Sequence, residues 1–146
     1  RRQRQMCIRD RGVTHIIGSH PHVIQPMELR TDSITGAQHA VVYSLGNFIS
    51  NMSKVNTDGG LIFTLELERD TTTSTSTQVR VQRCEYNLVW TARPNLTKEK
   101  NYVLYPTDST SISKLPEAAR NHLNIFVKNS RKLLQQHNVG IKENKK

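Results

Sequence analysis

Long apolar runs are missing from this 146-residue sequence. Nothing approaches the roughly 20 residues needed to cross a bilayer, and the polar, basic N-terminus has no signal-peptide core. Cysteine is scarce: Cys7 and Cys84 suggest neither a disulfide framework nor a thiolate zinc site, and they leave the compartment open. There is no internal repeat, no Gly-rich phosphate loop, no nucleophile elbow of a Ser-His-Asp enzyme and no paired carboxylate motif. What is present, 35% apolar and 23% charged residues, fits one globular domain with a real core.

Charge of one sign is lacking where it would matter most. The net +9 divides into +4 over residues 1–12, +4 over residues 131–146 and only +1 between them. A nucleic-acid-binding fold is expected to carry a basic face interleaved with aromatics on its structured elements. Here the body is nearly neutral and the aromatics make up 5%, so no nucleic-acid partner is expected. The opening RRQRQMCIRDR has neither strand alternation nor a helical stripe. It resembles translated adapter read-through, with an ordinary basic tail or a frayed helix end as the alternative.

From Gly12 the organisation is legible. VTHIIG reads as a short buried strand closed by Gly18, and residues 23–31 as an extended segment with Pro26 at its edge or irregular start. DSITGAQ supplies a turn into HAVVYSLGNF, which makes a hairpin. NMSKVNTDGG is a polar loop. LIFTLELER alternates, with Leu61, Phe63, Leu65 and Leu67 on one face. DTTTSTST, residues 70–77, reads as an exposed hairpin tip and QVRVQRCEYNLVWTAR as the return. An antiparallel meander of four or five strands is the economical arrangement. A linker follows, with one extended piece at Tyr102 to Tyr105. The chain then closes with a helix whose cap candidates are Thr110 or Ser113, with Pro116 near its first turn. Leu115, Ala119, Leu123, Phe126, Val127, Ser130 and Leu134 form its apolar stripe. Gly140 ends it, and IKENKK reads as a tail.

The chemistry concentrates at GSHPH. Pro21 holds its own φ and pushes His20 to an extended conformation. If Pro21 continues extended, His22 projects to the same side as His20 and both imidazoles meet a cation from one direction. On spacing alone an H-x-H pair is weak evidence. The other histidines read as structural or solvated: His15 in its strand, and His39, His122 and His137 on an edge or helix.

GVTHIIGSHPHVIQPMEL followed by VVYSLGNFISN, with YSLGNF about twenty residues after GSHPH, resembles the bacterial capsule-synthesis CapA family. Those are poly-γ-glutamate biosynthesis-type proteins of the calcineurin-like metallophosphoesterase superfamily. The likeness is strong over residues 12–68 and extends weakly through CEYNLVWTARP and YVLYP; the last helix has no counterpart. It implies an α/β class, α+β for this piece: the C-terminal half of an αββα sandwich, with mainly antiparallel strands and a C-terminal helix. The domain division that follows is residues 1–11 as a non-native or disordered basic tail, 12–106 as the family domain, 107–140 as linker and helix, and 141–146 as a basic tail.

The resemblance also implies a site. Members of that superfamily end their ligand set with Gly-His-x-His, matched here by His20 and His22, with Ser19 inserted after Gly18. The cofactor implied is a pair of divalent ions, manganese, iron or zinc, of which the full-length protein holds both. Ser44, Gly46 and Asn47 of the second motif are expected beside the site, able to bond a ligand, a water or a metal-binding histidine. Gln25 and Glu28 are candidates to hold a ligand side chain from behind, Glu28 equally a surface strand residue, and Gly46 equally a turn glycine with φ > 0. The family's Gly-Asp and Asn-His motifs are absent, and Asp32 and Asp58 sit in a turn and a loop. This sequence therefore reads as part of a larger domain, inactive by itself.

The implied partners are an anionic polymer or phosphoester substrate and other capsule-synthesis proteins. The implied location is extracytoplasmic or membrane-associated through an N-terminal segment not in this sequence. Three functions compete: a metal-dependent phosphoesterase of envelope polymer metabolism, a non-catalytic polymer-binding or assembly subunit on the same fold, and an unrelated β-rich binding domain.

Overall fold

An Asx turn closes the first hairpin. Asp32 Oδ1 accepts the backbone N–H groups of Ile34 and Thr35 at 2.9 and 2.7 Å, which reverses the chain between β2 (Met27–Thr31) and β3 (Gln38–Val42). The computed structural model describes residues 12–69 and 79–144. The readings of residues 1–11, of the 70–77 hairpin tip and of the last two lysines lie outside the described residues.

The hairpin is antiparallel, Met27 facing Val42 and Thr31 facing Gln38. A two-residue β1 (Ile16–Ile17) runs parallel to β3 on its other side, so the order of the first sheet is β1-β3-β2. The expected buried strand is therefore an edge: Ile17 is 55% exposed. The edge position of β2 agrees with Pro26 just before it.

A second sheet is built on β4 (Gly59–Arg69) and the 14-residue β5 (Val79–Ala92), paired antiparallel. The register slips between Glu66 and Leu67, where Gln82 is the extra residue of β5. Leu67, beside that bulge, is 46% exposed rather than on the inner face with Leu61. Leu88–Ala92 is buried at every position because β5 is central, with neighbours on both edges. The segment read as a linker carries structure: a single helical turn α1 (Pro94–Thr97), then β6 (Val103–Pro106) antiparallel to β5, then a 3-10 turn (Thr110–Lys114).

Helix α2 (Glu117–His137) buries Ala119, Leu123, Phe126, Ser130 and Leu134, the stripe its periodicity announces. Its start differs from expectation. Pro116 itself is the first flanking residue, and it is Ser109 whose hydroxyl accepts Ser111 N–H, capping the 3-10 turn. Leu115 and Pro116 are extended, which prevents the turn from running into the helix. The helix ends at His137, earlier than Gly140, because Asn138 is extended.

Nor do residues 141–144 form a tail. Ile141 is buried, and β7 (Lys142–Glu143) pairs parallel with β5 at Glu85 and Tyr86. The preceding residues pair instead with the first sheet: Leu29 N–H donates to Val139 O at 2.8 Å, and Val139 N–H to Met27 O at 3.0 Å. One meander is thus replaced by two mainly antiparallel sheets and a C-terminal helix around a common core, with Met27, Leu88, Trp90, Phe126 and Leu134 among its buried side chains.

Candidate functional site

The residues after β1 are held down before they reach the histidines. Gly18 N–H donates to Val42 O at 2.8 Å, and Leu45 N–H donates back to Gly18 O at 2.9 Å. Residues 20 and 21 then form a turn, and Ile24 bridges to Leu45. His20 and His22 are both exposed.

Backbone geometry here corrects the expectation of a continuously extended segment. His22 has φ of 59°, in the left-handed region. Proline restricts its own φ and its predecessor, and it leaves the residue after it free. Histidine is among the non-glycine residues enriched at positive φ, and that conformation costs of order 1 kcal/mol or more. Its imidazole has a compensating contact: His22 Nδ1 lies 2.8 Å from Asn47 Oδ1. The two sequence motifs meet at this hydrogen bond.

Asn47 is itself held in place. It is 7% exposed, and its Nδ2 donates to Thr57 O at 2.8 Å and to Met52 Sδ at 3.6 Å. Its backbone N–H donates to Gly59 O at 3.0 Å. Gly46 makes the bend possible: its φ is 78°, and a Cβ at this position would stand only 2.9 Å from Gly59 O. Gly60 packs still closer, since a Cβ there falls 2.5 Å from Asn47 O and 2.8 Å from Leu45 O. The Gly-Gly pair thus lets β4 lie directly against the second motif.

The remaining candidates divide. Ser19 Oγ reaches Gly46 O at 3.5 Å, which ties the first motif's loop to the second. Ser44 is fully buried and its hydroxyl accepts Gly46 N–H at 3.2 Å, so it shapes the turn. Gln25 joins through its backbone, donating to Ser44 O at 3.1 Å. Glu28 faces elsewhere, paired with Arg30 at 2.6 Å and accepting from the Tyr43 hydroxyl at 3.3 Å. His15 is structural: its Nδ1 accepts Ala40 N–H at 3.2 Å, and burial, then the neighbouring His39, lowers its pKa. Trp90 and Tyr86 are core residues.

Sequence reasoning missed Asp58, Thr57 and Met52. Asp58 is 7% exposed; its Oδ2 accepts Trp90 Nε1–H at 3.0 Å and stands 4.0 Å from His122 Nδ1. Its Oδ1 has no hydrogen-bond partner among the described residues. Nothing in a polar loop ending in Gly-Gly announces a buried carboxylate. Thr57 acts through its backbone, which side-chain patterns cannot report.

As a donor set the histidines are partial. Among the described residues no group of three or more His, Cys, Asp or Glu side chains converges to hold a metal. Among the described residues the two histidines are therefore too few donors for a complete metal site.

Comparison with known proteins gives the same two motifs. The family model for "Bacterial capsule synthesis protein PGA_cap" matches residues 2–52. That span contains His20, His22 and Asn47, and it reaches into the basic opening segment. The "PGA biosynthesis protein CapA" of Bacillus subtilis (strain 168) is 32% identical over 73 residues, which is 49% of this chain and 18% of that protein. The aligned part thus spans under a fifth of that relative's length. No solved structure matches. Through the segment that carries both motifs, this chain is similar to the bacterial capsule synthesis family of CapA-like proteins.

Proposed function

We propose that the chain is part of a capsule-synthesis protein in which His20 and His22 supply imidazole ligands to a metallophosphoesterase-type two-metal site. The site would act on a phosphoester or an anionic envelope polymer. A cation pair in such a site holds a phosphoryl group and lowers the pKa of a bridging water. The ions, manganese, iron or zinc, need bridging carboxylates as well as neutral nitrogens. This chain's part is the nitrogen half: the turn presents two exposed imidazoles, and Asn47 bonds one of them.

The observation that carries the reading is the His22–Asn47 hydrogen bond. Metal-bound histidines nearly always donate their second ring N–H to an oxygen acceptor, and Asn47 Oδ1 is such an acceptor. Extracytoplasmic location, membrane tethering and association with other capsule-synthesis proteins belong to the same proposal.

The test uses this chain and a longer protein that includes residues upstream. Manganese-dependent hydrolysis of bis-p-nitrophenyl phosphate is expected from the longer protein and lost in its His20→Ala and His22→Ala variants. The chain alone is expected to show no turnover. Robust turnover by the chain alone would refute the incomplete-site reading. A longer protein that binds the polymer without hydrolysing any phosphoester would favour a binding or assembly subunit.

A further inference from the structure

We infer that Asn47 is a positioning residue: it fixes the tautomer of His22 so that Nδ1 carries the proton and Nε2 presents its lone pair to solvent. This rests on the ligand role proposed above for His22, but its geometry stands independently of any metal.

The buried end of the Asn47 side chain sets the orientation of the rest. Thr57 O is an acceptor only, and it lies 2.8 Å from one terminal atom of that side chain. That atom must be the amide nitrogen, because an amide oxygen there would set two acceptors against each other. The contact to Met52 Sδ, a weak acceptor, requires the same orientation. Asn47 Oδ1 is thereby turned to His22, and an oxygen acceptor 2.8 Å from Nδ1 requires that Nδ1 donate. A neutral imidazole has one N–H, so Nε2 is left unprotonated. It is free to accept a proton or bind a cation, on a side chain that is exposed. Three further restraints keep Asn47 from turning away: its low exposure, its backbone bond to Gly59 O and the positive φ of Gly46 before it. The left-handed backbone of His22 fits the same account, because it is the residue whose ring makes the contact.

The test is a two-bond proton–nitrogen NMR correlation spectrum of the metal-free chain at about pH 8, above the ordinary histidine range. Expected for His22 is the pattern of protonated Nδ1 and unprotonated Nε2. Asn47→Ala is expected to lose that pattern; Asn47→Asp keeps an oxygen acceptor for His22 but sets its other oxygen against Thr57 O, so it is expected to retain the pattern at reduced stability. A merely structural Asn47 would alter dispersion across the spectrum without changing which His22 nitrogen is protonated. A wild-type His22 with protonated Nε2 overturns the inference even if neither variant folds. So does an Asn47→Ala protein that keeps the Nδ1–H form. Cobalt(II) titration in the same samples separates the two layers. Affinity about 10- to 100-fold weaker in Asn47→Ala is expected. A tautomer change with no cobalt(II) binding by either protein upholds the positioning role, and the metal reading is then decided on the longer protein, whose ligand set is larger.

Discussion

Two seams join the sheets, and they are made differently. The front seam runs through residues 44–47 and 59–61, where Leu61 N–H donates to Leu45 O at 2.9 Å and Gly46 bridges Gly60. It consists of close backbone contacts that two glycines permit, and exposed imidazoles stand above it. The rear seam runs through residues 138–144, where side chains add to the backbone bonds of Val139 and β7. Asn138 Oδ1 accepts Met27 N–H at 2.8 Å, Arg131 grips Glu143 with contacts of 2.7 to 3.1 Å, and Asn144 Nδ2 donates to Glu85 at 2.8 Å. The front seam positions chemistry with little tolerance for volume. The rear seam fastens the helix with bonds that can be exchanged one at a time.

Phe126 ties both, since its ring lies where a Cβ on Gly59 would be, 2.5 Å from Cζ. Phe126→Ala should therefore cost most, about 3–5 kcal/mol by chemical denaturation. If it leaves His22 and Asn47 resonances unmoved, the two seams are more independent than this contact implies. Gly60→Ala comes next. It places a methyl against two carbonyl oxygens, and a loss of about 1–3 kcal/mol is expected, with the His22 signals displaced.

Glu143→Gln should cost less, about 1 kcal/mol, because the Arg131 side chain is 35% exposed and solvent screens the pair. Its effect should stay at the rear: stability falls while the His22 tautomer is unchanged. The smallest effect is one of pH. His15 has a lowered folded-state pKa, so below the ordinary histidine value near 6.5 the unfolded chain binds more protons. Stability from His15 is full above that value and lost as pH falls through it toward the folded-state pKa. Denaturation midpoints between about pH 7.5 and 5.5 should fall more steeply for wild type than for His15→Gln.

The sequence made some of this legible and hid the rest for identifiable reasons. The helix stripe from Ala119 to Leu134 and the Asp32 turn were readable because each signal is local, a period or a turn residue. The pairing of the two motifs could be anticipated in kind, since Asn47 was named as a partner for a histidine. β7 was not readable: two residues have no period, and its partner Tyr86 lies far back in the chain. The positive φ of His22 escaped for a different reason. Proline constrains what comes before it, and only the distant acceptor on Asn47 accounts for what comes after.

The rear seam also sets an order of events during synthesis. Met27 finds the acceptor for its amide on Asn138, 111 residues later. A chain emerging from the ribosome N-terminus first must therefore hold that hairpin edge open until α2 has been made. During that interval the amides of Met27 and Leu29 lack the acceptors on Asn138 and Val139, and such an edge is open to pairing with another extended peptide.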